Sequence, residues 1–149
     1  MKKSKSMPPG RRTPAWDPVT VAAADGRLIL PRCSACGTIQ YPLQETCRRC
    51  LGDDLEWVEV PTDGTLLSWT RLRASLEPFF REHLPWPLGW VKLACGPVLL
   101  AHLADESPAS GKAVRVLNRP DTSGVGVLIA VPTETEDSEL GRIAALLAR

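Results

Sequence analysis

Four cysteines stand in two pairs, Cys33-Ser34-Ala35-Cys36 and Cys47-Arg48-Arg49-Cys50, with ten residues between the pairs. A Cys-x-x-Cys on a tight turn lets two thiolates converge on one ion, and two such turns complete a tetrahedral set of sulfurs. Zn²⁺ suits that set because it is soft enough for thiolate and has no redox partner to satisfy; iron takes the same S4 geometry. With every ligand position filled by protein there is no opening for water or substrate, so the ion is structural rather than catalytic. Gly37 follows the first pair and Gly52 comes shortly after the second, and both are read as supplying the backbone angles such turns need. Disulfides or a redox dithiol are the competing uses. The opening MKKSKSMPPGRR has no apolar secretory segment, which points to a reducing cytoplasm, and the βαβ setting of a thioredoxin-type dithiol is missing. The predicted ligands are therefore Cys33, Cys36, Cys47 and Cys50, holding one structural Zn²⁺. Cys95, alone before Gly96 in a β-type run, reads as a small buried hydrophobe.

Other catalytic signatures are missing: there is no Gly-x-Ser-x-Gly, no glycine-rich phosphate loop and no His-Glu-x-x-His. Of the two histidines, His102 lies among apolar strand residues and His83 lies in the loop SLEPFFREHLPWP, neither beside an orienting partner in sequence. That loop holds Phe79, Phe80 and Trp86, and an apolar connection between strands reads as a contact for a partner or ligand. The alternatives are a short helix over Glu77–Leu84 that folds back to cap the barrel and buries the same rings, or Phe79 and Phe80 splitting, one inward and one outward. Phe79, Phe80, His83 and Trp86 are the candidate contact residues; no catalytic residue is assigned. Net charge is +1, from 18 Lys and Arg against 17 Asp and Glu, which excludes a strongly basic nucleic-acid coat. Arg32, Arg48 and Arg49 crowd the cysteines, yet Asp53-Asp54 adjoin them and rings for base stacking are few. A nucleic-acid-binding module stays as the second reading. A hydrolase acting through Cys95 and a histidine is the third.

The elements that must position these residues follow from punctuation and periodicity. At 149 residues the chain suits one domain, or one domain with a small appendage. Residues 1–15, with Lys2, Lys3, Lys5, Arg11 and Arg12, read as a flexible basic tail. Residues 16–53 read as an N-terminal helix and the cysteine ribbon: Asp17 caps a short helix with Pro18 in its first turn, Gly26 ends it, and Arg27–Leu30 is a strand. Within 54–149, strands are expected at Leu55–Val60, Gly64–Arg73, Leu88–Ala94, Pro97–Ala104, Ala113–Leu117 and Gly126–Val131. Asp63-Gly64 and Cys95-Gly96 are read as tight turns. Leu140, Ile143, Ala144 and Leu147 recur at helical spacing, predicting a short amphipathic C-terminal helix. The expected class is mainly β, with an antiparallel barrel of the OB type; a small β-sandwich is the alternative. No apolar run approaches the roughly 20 residues of a membrane span, which fits a cytoplasmic protein.

In this order, LPRCSACGTIQYPLQETCRRC, LEWVEVPTDGTLLSWTRLR and PLGWVKLACGPVLLAHLAD resemble the zinc-ribbon/OB-fold proteins associated with acyl-CoA enzymes, once catalogued as a domain of unknown function. The resemblance runs from residue 16 to about 131 and departs at Leu43-Gln44, where the family often has proline and arginine. It implies a rubredoxin-like zinc ribbon before the barrel. It also implies a small non-catalytic companion of thiolase-like enzymes, aldolases or acyl-CoA hydratases, whose partner supplies the nucleophilic cysteine and the histidines. The partners implied are a thiolase-like catalytic subunit in a hetero-oligomer and an acyl-CoA ligand shared with it, benzylsuccinyl-CoA of anaerobic toluene degradation among them.

Overall fold

Asp17-Pro18 does open a helix, but Asp17 is not its cap. Pro14–Trp16 forms one 3-10 turn that runs straight into α1 (Asp17–Ala23), so Asp17 is already helical and its side chain caps nothing. The computed structural model describes residues 7–8, 12–136 and 139–148. Val19, Ala22 and Ala23 bury one stripe of α1. The side-chain amide of Asn118 donates to the Val19 and Arg27 carbonyls at 2.9 Å each, tying the helix exit to the barrel.

Strand β1 (Ile29–Cys33) pairs antiparallel with β2 (Leu55–Glu59), Cys33 lying opposite Leu55. The whole cysteine segment is thus an excursion between two paired strands. Leu55–Glu59, expected with the barrel, pairs only with β1 among the described strands. For the same reason Asp63-Gly64 is not a hairpin turn. The two residues open β3, where Asp63 faces Arg115 and Gly64 faces both Leu93 and Val114.

The remaining elements are β3 (Asp63–Leu72), α2 (Pro78–His83), β4 (Trp86–Leu93), β5 (Val98–Leu103), β6 (Ala113–Pro120) and β7 (Gly126–Pro132). They close a five-stranded barrel in the order β3-β4-β5-β7-β6, with β6 returning to β3. This is the expected OB-type barrel, with one difference: β5 and β7 pair in parallel, His102 opposite Ile129. These two strands are not neighbours in sequence, so no hairpin dictates their direction. In β4 the expected alternation is realised, Val91 and Leu93 pointing inward while Trp90 and Lys92 face out. Gly89 is needed for its lack of a side chain: a Cβ there would stand 2.7 Å from Leu66 Cδ1.

Two apolar clusters fill the molecule. In the first, Leu28, Leu30 and Val60 from the ribbon side join Leu66, Val91, Leu99 and Val116 of the barrel, so ribbon and barrel share one core. The second gathers Phe79, Trp86, Leu117, Ile129 and Ile143 at the other end.

Both termini depart from expectation. Met7, expected in a flexible tail, is fully buried in the second cluster, and its N–H donates to Asp121 Oδ2 at 2.9 Å. Arg12 lays its guanidinium 5.1 Å from the Trp16 ring centre. The reason is Asp121, a buried carboxylate that also accepts N–H groups from Ser123 and Val125 and gives the N-terminal segment an anchor. Lys2, Lys3, Lys5 and Arg11 lie outside the described residues. At the other end Gly141–Leu146 is a 3-10 turn rather than an α-helix. The chain beyond it is drawn to the end of β6: the Leu146 carbonyl accepts from Thr122 N–H, and Ala148 N–H donates to the Pro120 carbonyl. Residues 137, 138 and 149 of the expected helix lie outside the described ones. Among the described residues no helix is long and apolar enough to cross a membrane.

Candidate metal centre and contact loop

Each Cys-x-x-Cys closes the same hydrogen-bonded turn. Gly37 N–H donates to the Cys33 carbonyl at 2.8 Å and Leu51 N–H to the Cys47 carbonyl at 2.9 Å. Cys33 N–H reaches Thr38 O at 2.9 Å, and Cys47 N–H reaches Gly52 O at 2.7 Å. Gly37 has φ +76°, as expected from its place. In the second turn the left-handed residue is Leu51, at φ +63°, and not Gly52. Gly52 matters for space instead, since a Cβ there would approach Cys50 Sγ to 3.4 Å.

The turns bring the four expected sulfurs within 4.8 Å of one another. Cys33 and Cys50 are 3.6 Å apart and Cys36 and Cys47 3.5 Å. A tetrahedron with Zn–S bonds of about 2.3 Å has edges of about 3.8 Å, so the donor set fits one ion of that size. Electrostatics agree. The Thr38 hydroxyl and N–H hold the Cys36 thiol down at about 6. Cys47 is lowered by the N–H groups of Cys50 and Arg49. Cys50 stands up at about 11: the Gly52 N–H lowers it, but the sulfurs of Cys33 and Cys36 outweigh that donor. Thiolates this close repel, and a bound dication is what permits all of them to lose their protons together. The four cysteines are positioned to bind one metal ion, and zinc there supplies structure: it pins the excursion between β1 and β2.

Sequence reasoning missed Gln40. It is fully buried, its amide donating to Thr46 O and its carbonyl accepting from Arg48 N–H, both at 2.9 Å. It clamps the second turn from inside. No signal short of the fold marks a glutamine for that task. Cys95 sits at the β4–β5 turn against the first cluster, where burial pushes its thiol up.

The contact loop divides. Phe79 and Trp86 are each 1% exposed, which corrects their expected role as surface contacts. Helix α2 folds over the barrel and stacks them edge to face at 5.2 Å, while the Arg142 guanidinium covers the Trp86 ring at 4.9 Å. Phe80 and His83 remain half-buried. His83 packs flat on Phe79 at 4.4 Å, with Nδ1 2.7 Å from the Phe79 carbonyl. Phe80 lines a cavity of about 300 Å³ together with Arg12, Trp16, Tyr41, Leu100 and His102.

His102 is the expected structural strand residue, held more tightly than its neighbours in sequence suggest. Its Nδ1 accepts from Trp86 Nε1 at 2.9 Å. The ring also bonds the Pro8 backbone, whose only hydrogen-bonding group is its carbonyl, so Nε2 carries the proton. Burial lowers the imidazole to about 4 and nearby Arg12 adds to this, the Pro8 carbonyl opposing. The unfolded chain therefore takes up this proton at about pH 6.5 and the folded chain only near 4. The associated stability is whole above about pH 6.5 and is lost as pH falls toward 4, roughly 3 kcal/mol in total. Denaturation of wild type and His102→Gln at several pH values should show this extra acid sensitivity in wild type only; parallel curves would contradict it.

With this geometry in place, the comparisons with known proteins are informative. Residues 20–56 match the family profile of the ChsH2 rubredoxin-like zinc ribbon domain, and residues 57–119 match that of the ChsH2 C-terminal OB-fold domain. The two matches adjoin and cover two thirds of the sequence; the chain belongs to this ChsH2-type (DUF35) zinc-ribbon/OB-fold family. A DUF35 domain-containing scaffold protein of Pyrococcus furiosus is 33% identical over 82 residues, 55% of this chain and 59% of the relative. A probable enoyl-CoA hydratase alpha subunit of Thermomonospora curvata is 30% identical over 87 residues, 58% of this chain and 27% of the relative. The matched stretch thus spans less than two thirds of either curated relative. Among solved structures the chain is similar to the Ltp2-ChsH2(DUF35) aldolase, with TM-score 0.69 and 23% identity over 81% of this chain and 96% of that one. It is also similar to a DUF35-family protein from Sulfolobus solfataricus, with TM-score 0.56 and 19% identity over 78% and 84%. These two likenesses establish the fold.

Proposed function

We propose that this chain is a non-catalytic accessory subunit of an acyl-CoA-processing complex, paired in the cytoplasm with a thiolase-like acyltransferase subunit in a hetero-oligomer. The observation that carries the reading is the tandem: a ChsH2-type ribbon followed at once by a ChsH2-type OB-fold domain. Two curated relatives are named a DUF35 domain-containing scaffold protein and a probable enoyl-CoA hydratase alpha subunit. The side-chain chemistry supports it. Four cysteines converge on one closed ligand set, the Cys95 thiol is raised, and the His102 imidazole is held between Trp86 and Pro8. The cavity beside Phe80 is where an acyl chain shared with the partner would rest; a benzylsuccinyl group would find Trp16, Tyr41 and Phe80 around its ring. The same reading divides the chain into an N-terminal segment to residue 15, a ribbon unit and a barrel unit. We count β2 with the ribbon, because its register partner is β1.

The test is to purify the chain alone and with its catalytic subunit. Alone it should leave acyl-CoA thioesters and C–C bonds intact, and its addition should raise the activity or thermal stability of the partner. Measurable turnover by the isolated chain, abolished in Cys95→Ser, would replace this reading with a hydrolase.

A further inference from the structure

We infer that Leu51, at the tip of the second metal-binding turn, is the side chain by which the ribbon docks into an apolar pocket of its catalytic partner, with Arg48 and Arg49 meeting carboxylates on the pocket rim. The inference rests on the accessory-subunit reading and adds to it the surface that does the work.

The two turns of the ribbon are one structure built twice, with matching hydrogen bonds from Gly37 and Leu51 to the first cysteine of each pair. Both residues take the left-handed backbone, at φ +76° and +63°. In that conformation a Cβ crowds the following carbonyl, which glycine avoids and asparagine tolerates. The first turn uses glycine. The second uses leucine, the only non-glycine residue with positive φ among the described residues. A large side chain at such a position carries a steric cost that packing can offset. Among the described residues Leu51 finds no such packing: it is 78% exposed and belongs to neither apolar cluster. Packing that offsets the cost would come from outside.

The surroundings describe the outside partner. Leu51 directly follows Cys50 and its N–H is held by the Cys47 carbonyl, so a metal bound by these cysteines makes the tip rigid, and a rigid protrusion loses little freedom on docking. Arg48 and Arg49 are exposed and, among the described residues, neither is in an ion pair. The Tyr41 carbonyl steadies Arg48 Nη1 at 3.2 Å. One apolar anchor ringed by charge matches a protein pocket with a dry centre and a polar rim. A nucleic acid fits less well. No exposed residue of the two turns carries a ring on which a base could stack, and Asp53 and Asp54 beyond them repel phosphate.

The experiment uses the full chain with Leu51→Gly and Leu51→Asn, and as probe the catalytic subunit that co-purifies with the native chain, expressed separately. Both replacements suit a left-handed backbone. Zinc content should be unchanged, and Tm should hold or rise by a few degrees. Affinity for the subunit should fall about 10- to 100-fold, as for loss of one buried leucine. Undiminished affinity of both variants overturns the inference and leaves the accessory reading standing. Loss of zinc or a clearly lower Tm makes Leu51 structural and overturns it too. Failure of the wild-type chain to bind any thiolase-like subunit removes the accessory reading itself, and this inference with it. Salt-dependent retention of wild type on single-stranded DNA, lost in both variants, would reassign the tip to nucleic acid.

Discussion

Cys47→Ser protein is expected to carry essentially no zinc, against one zinc per chain in wild type, and to lose the fold of the segment between β1 and β2. Cys47 is buried, its sulfur receives the Arg49 N–H at 3.4 Å, and it faces Cys36 Sγ at 3.5 Å. A hydroxyl in its place is a poor zinc ligand, and three sulfurs leave the tetrahedron open. Binding to such a site is worth on the order of 10–16 kcal/mol in zinc-finger peptides, most of it folding energy, because the unfolded chain holds no preformed site. The segment's other ties are weaker: Ile39, Tyr41 and Leu43 are only partly buried against the first cluster, and Gln40 holds the second turn by two hydrogen bonds. Strand β2 has no fully buried residue, and a two-stranded sheet alone is marginal in water. The loss should spread, since Leu28, Leu30 and Val60 tie the ribbon to the barrel core. We expect Cys47→Ser and chelator-treated wild type to melt at similarly lowered temperatures, while Cys95→Ser keeps its zinc. Elemental analysis checks the first point and thermal denaturation the second. Metal-free wild type from a chelator-free preparation would refute the metal centre.

Trp86→Ala is the second large effect. A ring that is 1% exposed and packed on Phe79 leaves a cavity when removed, which costs about 3–5 kcal/mol. The deletion also strips His102 Nδ1 of its donor inside the protein, adding the penalty of an unpaired buried acceptor. Tm should fall by roughly 10 °C or more for a chain of this size. Phe80→Ala should behave differently. Phe80 is half-buried and lines the cavity, so its loss should lower Tm modestly and weaken acyl-CoA or partner binding more. Calorimetric melting of both variants, with a binding assay on the second, checks the contrast. Equal Tm losses would place Phe80 in the core with Trp86.

The difference between these two rings shows where sequence reasoning stopped. The loop reads as apolar, and it is. Whether an apolar loop turns outward to a partner or inward over its own barrel depends on where the barrel mouth lies, and that is settled by strand pairs far apart in the chain. What sequence determined by itself was local. The spacing within each cysteine pair dictates a turn, because two sulfurs can converge only if the backbone folds back at once. Alternation along Trp90-Val91-Lys92-Leu93 dictates a strand with one wet face. All six strands predicted within residues 54–149 exist within a few residues of their expected bounds, and the seventh, Arg27–Leu30, begins two residues later and runs to Cys33. Only the tertiary structure decided the pairings. Strand β2 returns to β1 rather than hairpinning into β3, the barrel closes through the parallel pair of β5 and β7, and Met7 is drawn onto Asp121 across 114 residues. It also decided which knuckle residue goes left-handed, making it Leu51 although a glycine stands next to it. Local patterns are set by steric limits and side-chain period over a few residues. Pairing and burial answer to loop closure and shared core, which no short stretch of chain contains.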